Sequence, residues 1–255
     1  MRYILLLTLA LVLMVPVVTY SADTPTMVRV PDLEERVNTI KATLRQYREV
    51  DGWSGTFRID KVHSKKMLDW IEADSKSKQK VNLPPWSCLF SVDVSKNRTA
   101  KLTLGILDKD GNVVPPVKTG NENDPELREL LILVQQMVFA TEVGDHLDYY
   151  AGNKTGETEE EVWVGISATG WTSYQLSKAM GDLPTRIEYG DYSPIPADYK
   201  TLSDFRKEDG RWSARKMTDT MLVPDQAAVG ITTTITAQDL HFVVKQPAPD
   251  AAVAK

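Results

Sequence analysis

Segments of alternating polarity, separated by short turn signals, recur along most of this chain and constrain its fold more than any other feature. From Trp53 to Ile59, every second position is apolar or glycine, and polar residues lie between them. Such a period of two is typical of a strand with one buried face. The dipeptides Thr169-Gly170 and Asp209-Gly210 each lie between two strand-like segments and favour β-hairpins. The pattern therefore predicts a large antiparallel sheet.

About nine strands are predicted from this pattern. They cover 53–59, 86–94, 102–106, 161–168, 171–176, 183–189, 199–207, 212–222 and 229–237, and a last extended piece covers 240–244. The run at 108–112 is predicted to be a turn. We find neither an internal repeat nor a clear linker. Together with two main helices, these strands predict a single α+β domain over residues 23–245.

The two main helices are predicted from a different periodicity. In the first, over 33–47, apolar residues recur at steps of three and four. The second begins at Asp124-Pro125, with aspartate as the N-cap and proline at the first helical position, and runs to about Thr141. A short helix is also predicted around 67–71. The second helix is apolar around most of its circumference, so we expect it to be covered on several sides or to face an apolar ligand.

The N-terminus has the composition of a secretory signal peptide. Arg2 precedes an apolar run from Ile4 to Val18, and small residues follow before Asp23. The run is short for a membrane-spanning helix, which needs roughly 20 residues. We predict a signal peptide over 1–22, a periplasmic or secreted protein, and no stable membrane span after cleavage. An uncleaved N-terminal anchor is the alternative. The Ala- and Pro-rich segment 246–255 is predicted to be a disordered tail.

Composition disfavours several classes of function. The single cysteine, Cys88, excludes an intramolecular disulfide and any CxxC motif. Three histidines, far apart in sequence, make a histidine-rich metal site improbable. The net charge of -5 offers no basic surface for a nucleic acid. We predict no cofactor, no metal and no nucleic-acid partner.

Catalytic motifs are weak in this sequence. Residues 75–78 match SxxK, but they lie in a polar Lys/Ser run and lack the accompanying motifs of that enzyme class. Residues 165–170 have the wrong spacing for a nucleophile elbow. His146, beside two aspartates, is interpreted as a surface histidine, and Cys88 as a small buried hydrophobe. We predict that the chain is not an enzyme, and a hydrolase remains a third alternative.

Four segments of the C-terminal half carry a resemblance to a known family. They are LPTRIEY at 183–189, DFRKEDGRW at 204–212, TTTIT at 232–236 and LHF at 240–242. In this order, and after an apolar helix, they resemble the periplasmic outer-membrane lipoprotein-sorting (LolA-like) superfamily. The resemblance implies a strongly curved antiparallel sheet, an unclosed β-barrel, with helices that lid its concave face. It also implies an arginine on an early strand, for which Arg58 is the candidate.

The resemblance further implies that the concave face binds acyl chains of lipoproteins or lipids. We therefore predict a non-enzymatic carrier or sensor whose partner is a lipid or an acylated protein. The alternative is a structural or protein-interaction module of the cell envelope, with an envelope protein as its partner and a closed core. The predicted lining residues of the apolar cavity are Phe57, Ile59, Phe90, Val134, Met137, Val138 and Ile187.

Overall fold

The computed structural model describes the greater part of the chain. The described residues are 28–29, 50–74, 83–95, 99–139, 148–153, 160–167, 170–180, 183–190, 197–208, 210–224, 226 and 228–243. The predicted signal peptide, the first predicted helix at 33–47 and the predicted tail at 246–255 lie outside them. So do residues 75–78 and His146.

The described residues form twelve strands and two α-helices, with a short 3-10 helix at Lys178–Met180. The helices are α1 (Lys65–Asp74) and α2 (Pro125–Phe139). The strands are β1 (Val28–Arg29), β2 (Gly52–His63), β3 (Trp86–Val94), β4 (Ala100–Leu107), β5 (Val113–Gly120), β6 (Asp148–Asn153), β7 (Glu160–Ser167), β8 (Gly170–Ser177), β9 (Leu183–Gly190), β10 (Asp198–Glu208), β11 (Arg211–Leu222) and β12 (Val229–Val243).

All twelve strands belong to one antiparallel sheet. Their order is β1-β6-β7-β8-β9-β10-β11-β12-β2-β3-β4-β5. Two meanders, β2 to β5 and β6 to β12, are joined where β12 pairs with β2. Strands β1 and β5 are the two edges and do not pair with each other. The sheet is therefore curved but open, and the predicted α+β fold with an unclosed antiparallel sheet is confirmed.

Four strands differ from the sequence prediction, and the two-residue strand β1 is one that it did not contain. The segment of β5 was not predicted as a strand, because Pro115-Pro116 interrupts it and its residues do not alternate in polarity. Proline is tolerated at a sheet edge, where its missing N–H faces no partner. Strand β6 was also missed, and β12 was predicted as two pieces. The register of β12 shifts between Ala237 and Asp239, and this β-bulge broke the alternation that the prediction used.

Helix α2 lies across the face of the sheet that bears Trp53, Phe57 and Ile59, which we call the inner face. The ring of Phe139 near the end of α2 packs edge-on against Trp53, with centroids 5.5 Å apart. At the start of α2, a side-chain methyl of Leu127 lies close to Gly120 of β5, where an added Cβ would meet it at 2.8 Å. The second predicted helix and its start are thus confirmed.

Helix α1 follows β2 directly and packs against β12. The Ser64 hydroxyl accepts a hydrogen bond from the backbone N–H of Met67 at 3.1 Å, as an N-cap does. Met67 is buried against Gly230, where any side chain at the glycine would collide with it. The short helix predicted around 67–71 is confirmed, and it extends further in both directions.

Candidate functional site

The inner face and α2 enclose one apolar cluster that contains all seven predicted lining residues. Four elements contribute them, and every one of the seven is at most 4% exposed. They are Phe57 and Ile59 on β2, Phe90 on β3, Val134, Met137 and Val138 on α2, and Ile187 on β9. The structure therefore brings these residues together. In this conformation their side chains pack against one another.

The burial pattern along α2 explains how a single helix covers so much apolar surface. Seven of its fifteen residues are buried, and they recur at helical spacing from Leu127 to Phe139. Ile132, on the opposite side of the helix, is 46% exposed. The helix is thus amphipathic within the described structure, and its apolar face is directed onto the sheet.

Polar contacts fix the N-terminal end of α2 to strand β5. The Asp124 carboxylate accepts hydrogen bonds from the backbone N–H groups of Glu126 at 3.1 Å and Leu127 at 3.3 Å. Lys118 on β5 donates to Asp124 at 2.9 Å and to Glu126 at 2.7 Å. The hydrogen bond from Lys118 holds the pKa of Asp124 below its ordinary value. These contacts cap the helix and orient its start, but they lie at the surface.

An aromatic group closes the cluster at the end where β2 begins. Phe139 lies between Trp53 and Phe242, with ring centroids 5.5 Å and 6.2 Å away, and Trp53 in turn packs on Phe57 at 6.2 Å. All three contacts are edge-to-face, the geometry that aromatic quadrupoles favour. These rings join β2, β12 and α2 at one end of the inner face.

A charged group lies at the opposite end of the inner face. Lys61, Thr233, Asp219, Lys200 and Ile187 face one another across five adjacent strands, in one continuous register. The Lys200 ammonium lies 3.9 Å from the Asp219 carboxylate. Burial raises the pKa of Asp219, and the two lysines oppose that rise. The predicted lining residue Ile187 therefore marks the border between the apolar cluster and this charged row.

Two further ionisable groups adjoin that row. Burial raises the pKa of Asp198, and the nearby carboxylate of Asp219 raises it further against the effect of Lys200. Burial lowers the pKa of His63, and the charge of Lys61 lowers it further. Because its charges are balanced, this end of the inner face is polar without a net field of one sign.

The arginine proposed from the family resemblance is not at the apolar cluster. Arg58 points away from the inner face, is 46% exposed and pairs with Asp60 at 3.0 Å. Its neighbours in β2, Phe57 and Ile59, are the residues that face inward. The assignment of Arg58 to the site is therefore wrong, because alternation along the strand directs it to the other face.

Arg215 on β11 is the arginine that the structure places at the cluster, and the sequence analysis did not identify it. It shares the inner face with Met217, two positions away on the same strand. Its guanidinium pairs with the Glu208 carboxylate, and both Nη atoms donate to the Leu240 carbonyl at 3.4 Å. The sequence could have identified Arg215, because it is a charged residue at an inward position of a predicted strand.

Two properties of the described residues bear on their reactivity. Burial is the main cause that raises the pKa of the Cys88 thiol to about 12, so the thiol stays protonated and is a poor nucleophile. Within the described ranges, no three His, Cys, Asp or Glu side chains are grouped closely enough to hold a metal ion. In the same ranges, no helix is long and apolar enough to cross a membrane.

Comparisons of the sequence with known proteins give no match. No protein-family model matches the chain, and no curated protein is significantly similar to it. Similar solved structures do exist. One is described as an outer membrane lipoprotein-sorting protein domain from Vibrio parahaemolyticus; it has a TM-score of 0.46 and 12% sequence identity, and the match covers 84% of this chain and 94% of that chain.

Two further structures are similar over the same extent. A DUF1329 family protein from Desulfovibrio piger has a TM-score of 0.47 and 11% identity, and covers 84% of this chain and 94% of its own. A LolA superfamily protein from Nitrosomonas europaea has a TM-score of 0.36 and 9% identity, with 83% and 94% covered. These are similarities only, and nothing about the family or the ligand of this chain follows from them.

Proposed function

We propose that this chain is a non-enzymatic carrier or sensor of the periplasm that binds an acyl chain, or another apolar ligand, between α2 and the inner face of the sheet. One observation carries the proposal. Seven apolar side chains from α2, β2, β3 and β9 meet in a single cluster, and one helix covers it. A ligand chain would insert between the helix and the sheet and contact both the apolar face of α2 and the sheet.

The energetics of such an exchange are favourable for a long apolar chain. Each methylene that leaves water contributes about 0.8 kcal/mol, so a ten-carbon chain gains about 8 kcal/mol before any opening of the protein. The cost of opening is the loss of the contacts between α2 and the inner face. That cost is limited because the chain restores contacts to the inner face.

The second candidate is a protein-interaction module of the cell envelope with a closed core. It is favoured by the complete burial of Phe57, Phe90, Val134 and Met137 in this conformation. In that case α2 is a permanent part of the core, and the exposed surfaces bind an envelope protein. The two candidates differ in one respect, which is whether the cluster under α2 admits a ligand.

Native mass spectrometry of the mature protein purified from a periplasm, with parallel lipid extraction, distinguishes them. We expect a retained mass that matches an acyl lipid, or uptake when delipidated protein is challenged with lipid. A bare protein mass and no uptake would favour the interaction module.

Two substitutions on α2 locate the binding site. Val134→Arg places a charge on the buried face and should abolish uptake, whereas Ile132→Arg places the same charge on the exposed face and should leave uptake unchanged. Circular dichroism of the two variants, each recovered from the periplasmic fraction, establishes that both are folded and exported. Normal uptake by folded Val134→Arg would show that the ligand does not lie under α2.

A further inference from the structure

Two polar side chains of β11 lie inside the apolar region without satisfying all of their hydrogen bonds. Ser213 is 2% exposed and Arg215 is 5% exposed. The Ser213 hydroxyl and the Arg215 Nε are both buried and make no hydrogen bond with any part of the chain that the structure describes. Buried polar atoms are rarely left unpaired, because each costs the free energy of its lost hydration. Two on one strand therefore indicate a partner that the described residues do not supply.

The position of these groups relates them to the apolar cluster. Arg215 and Met217 flank the exposed Lys216 on β11 and so share the inner face, and Ser213 is buried two residues before Arg215. Lys216 pairs with Thr236, which places Arg215 beside Ala237, and Ala237 is paired with Phe57. Arg215 thus lies in the same row as one of the predicted lining residues. A β-bulge in β12 follows Ala237, and bulges often adjoin binding sites.

The charges around Arg215 restrict the kind of ligand group that can bind there. The Glu208 carboxylate already neutralises the Arg215 guanidinium, and the Leu240 carbonyl occupies both Nη atoms. Nε is the guanidinium nitrogen left without a partner among the described residues, and it and the Ser213 hydroxyl are both able to donate. A second carboxylate here would be desolvated and repelled by Glu208. An uncharged oxygen acceptor has neither disadvantage.

We propose that Arg215 Nε and the Ser213 hydroxyl bind the carbonyl oxygen of an acyl ester or acyl amide whose hydrocarbon chain lies under α2. This inference rests on the proposed carrier function and specifies the ligand's chemical class. The hydrocarbon supplies most of the affinity. The two donors bind the oxygen on the first carbon of the chain and so set how deeply the chain inserts. Glu208 selects the neutral ester or amide over a free fatty acid.

The test compares two ligands that differ only in the carbonyl oxygen, 1-decanoylglycerol and 1-O-decylglycerol, by isothermal titration calorimetry. Two hydrogen bonds of ordinary net strength predict that the delipidated wild-type protein binds the ester about tenfold more tightly than the ether. Ser213→Ala and Arg215→Met should each reduce that preference about threefold. Because the ether lacks the carbonyl oxygen, its binding by each variant measures any loss of affinity that is unrelated to that oxygen.

Each other result has a definite meaning. Equal binding of ester and ether by the wild type would overturn the carbonyl site, identify the unpaired atoms as hydrated, and leave the carrier function intact. Tighter binding of decanoate than of the ester would overturn the role given to Glu208. If neither ligand binds, the carrier function fails and this inference fails with it. Because Ser213→Ala removes one oxygen atom, it remains informative even if Arg215→Met does not fold.

Discussion

Replacing Met137 by alanine tests whether α2 is held on the sheet by its apolar face. The side chain is 0% exposed and lies within the apolar cluster. Truncation of a buried methionine to alanine costs about 2–5 kcal/mol, since it removes apolar contacts and leaves a cavity. Methionine and alanine have similar helix propensities, so this loss reports packing and not helix formation.

Ile132→Ala is the matched control on the same helix. Ile132 is 46% exposed, and its substitution removes a side chain of similar volume. We expect its free energy of unfolding to change by less than about 0.5 kcal/mol, because surface substitutions rarely do more. Any gain in helix propensity amounts to a few tenths of a kcal/mol.

The assay is urea unfolding followed by tryptophan fluorescence, together with a thermal melt. For a domain of this size, about 1 kcal/mol corresponds to about 2–4 °C in Tm. Met137→Ala should therefore lower Tm by about 4–20 °C, and Ile132→Ala by no more than about 2 °C. If the two variants lose the same small amount of stability, α2 does not pack on the inner face as described and does not cover the proposed site.

Four other predictions concern single positions. Gly190→Ala should destabilise the fold by about 1–3 kcal/mol in urea unfolding, because the added Cβ would lie 2.3 Å from the Trp171 ring; an unchanged midpoint would contradict that packing. Asp124→Ala should lower Tm by a few degrees, because it removes the helix cap. Asp124→Asn retains the cap and should lower Tm by less. Equal decreases in Tm would assign the effect to the ion pair with β5. Cys88 should resist iodoacetamide in the native protein and react in urea, since its pKa is raised to about 12; rapid native alkylation would refute its burial. The stability that Asp219 contributes should be greatest below its unfolded pKa, near 3.8, and should fall as pH rises through its raised folded pKa. When unfolding is measured at several pH values, the free energy of unfolding of Asp219→Asn should rise relative to that of the wild type over that range. A difference in free energy of unfolding that is independent of pH would refute the pKa shift.

Local pattern was sufficient to predict most of the elements and the membership of the apolar cluster. The alternation of apolar and polar residues identified β2, β3 and β11, because one face of each strand is buried and the other faces solvent. The Asp124-Pro125 start of α2 was predicted because capping is a local interaction. The seven lining residues were predicted from their apolar character at inward positions, and the structure brings them together.

Other features depended on the tertiary structure because their causes are not local. Strand β5 has no alternation and contains two prolines, and it becomes a strand because β4 offers an edge to pair with. Arg58 and Arg215 both lie on strands, and only the pairing of β11 with its neighbours directs Arg215 inward to Glu208 and the Leu240 carbonyl. The charged row of Lys61, Asp219 and Lys200 joins residues that are far apart in sequence.

The sequence by itself determined the antiparallel sheet, the amphipathic α2 and the apolar residues that it covers. These follow from periodicity and capping, which act between residues a few positions apart. Only the tertiary structure decided which polar groups share the interior with them, since a buried ion pair or an unpaired donor arises from long-range strand register. The unpaired Arg215 Nε and Ser213 hydroxyl are of that second kind, and the ligand class is proposed from them.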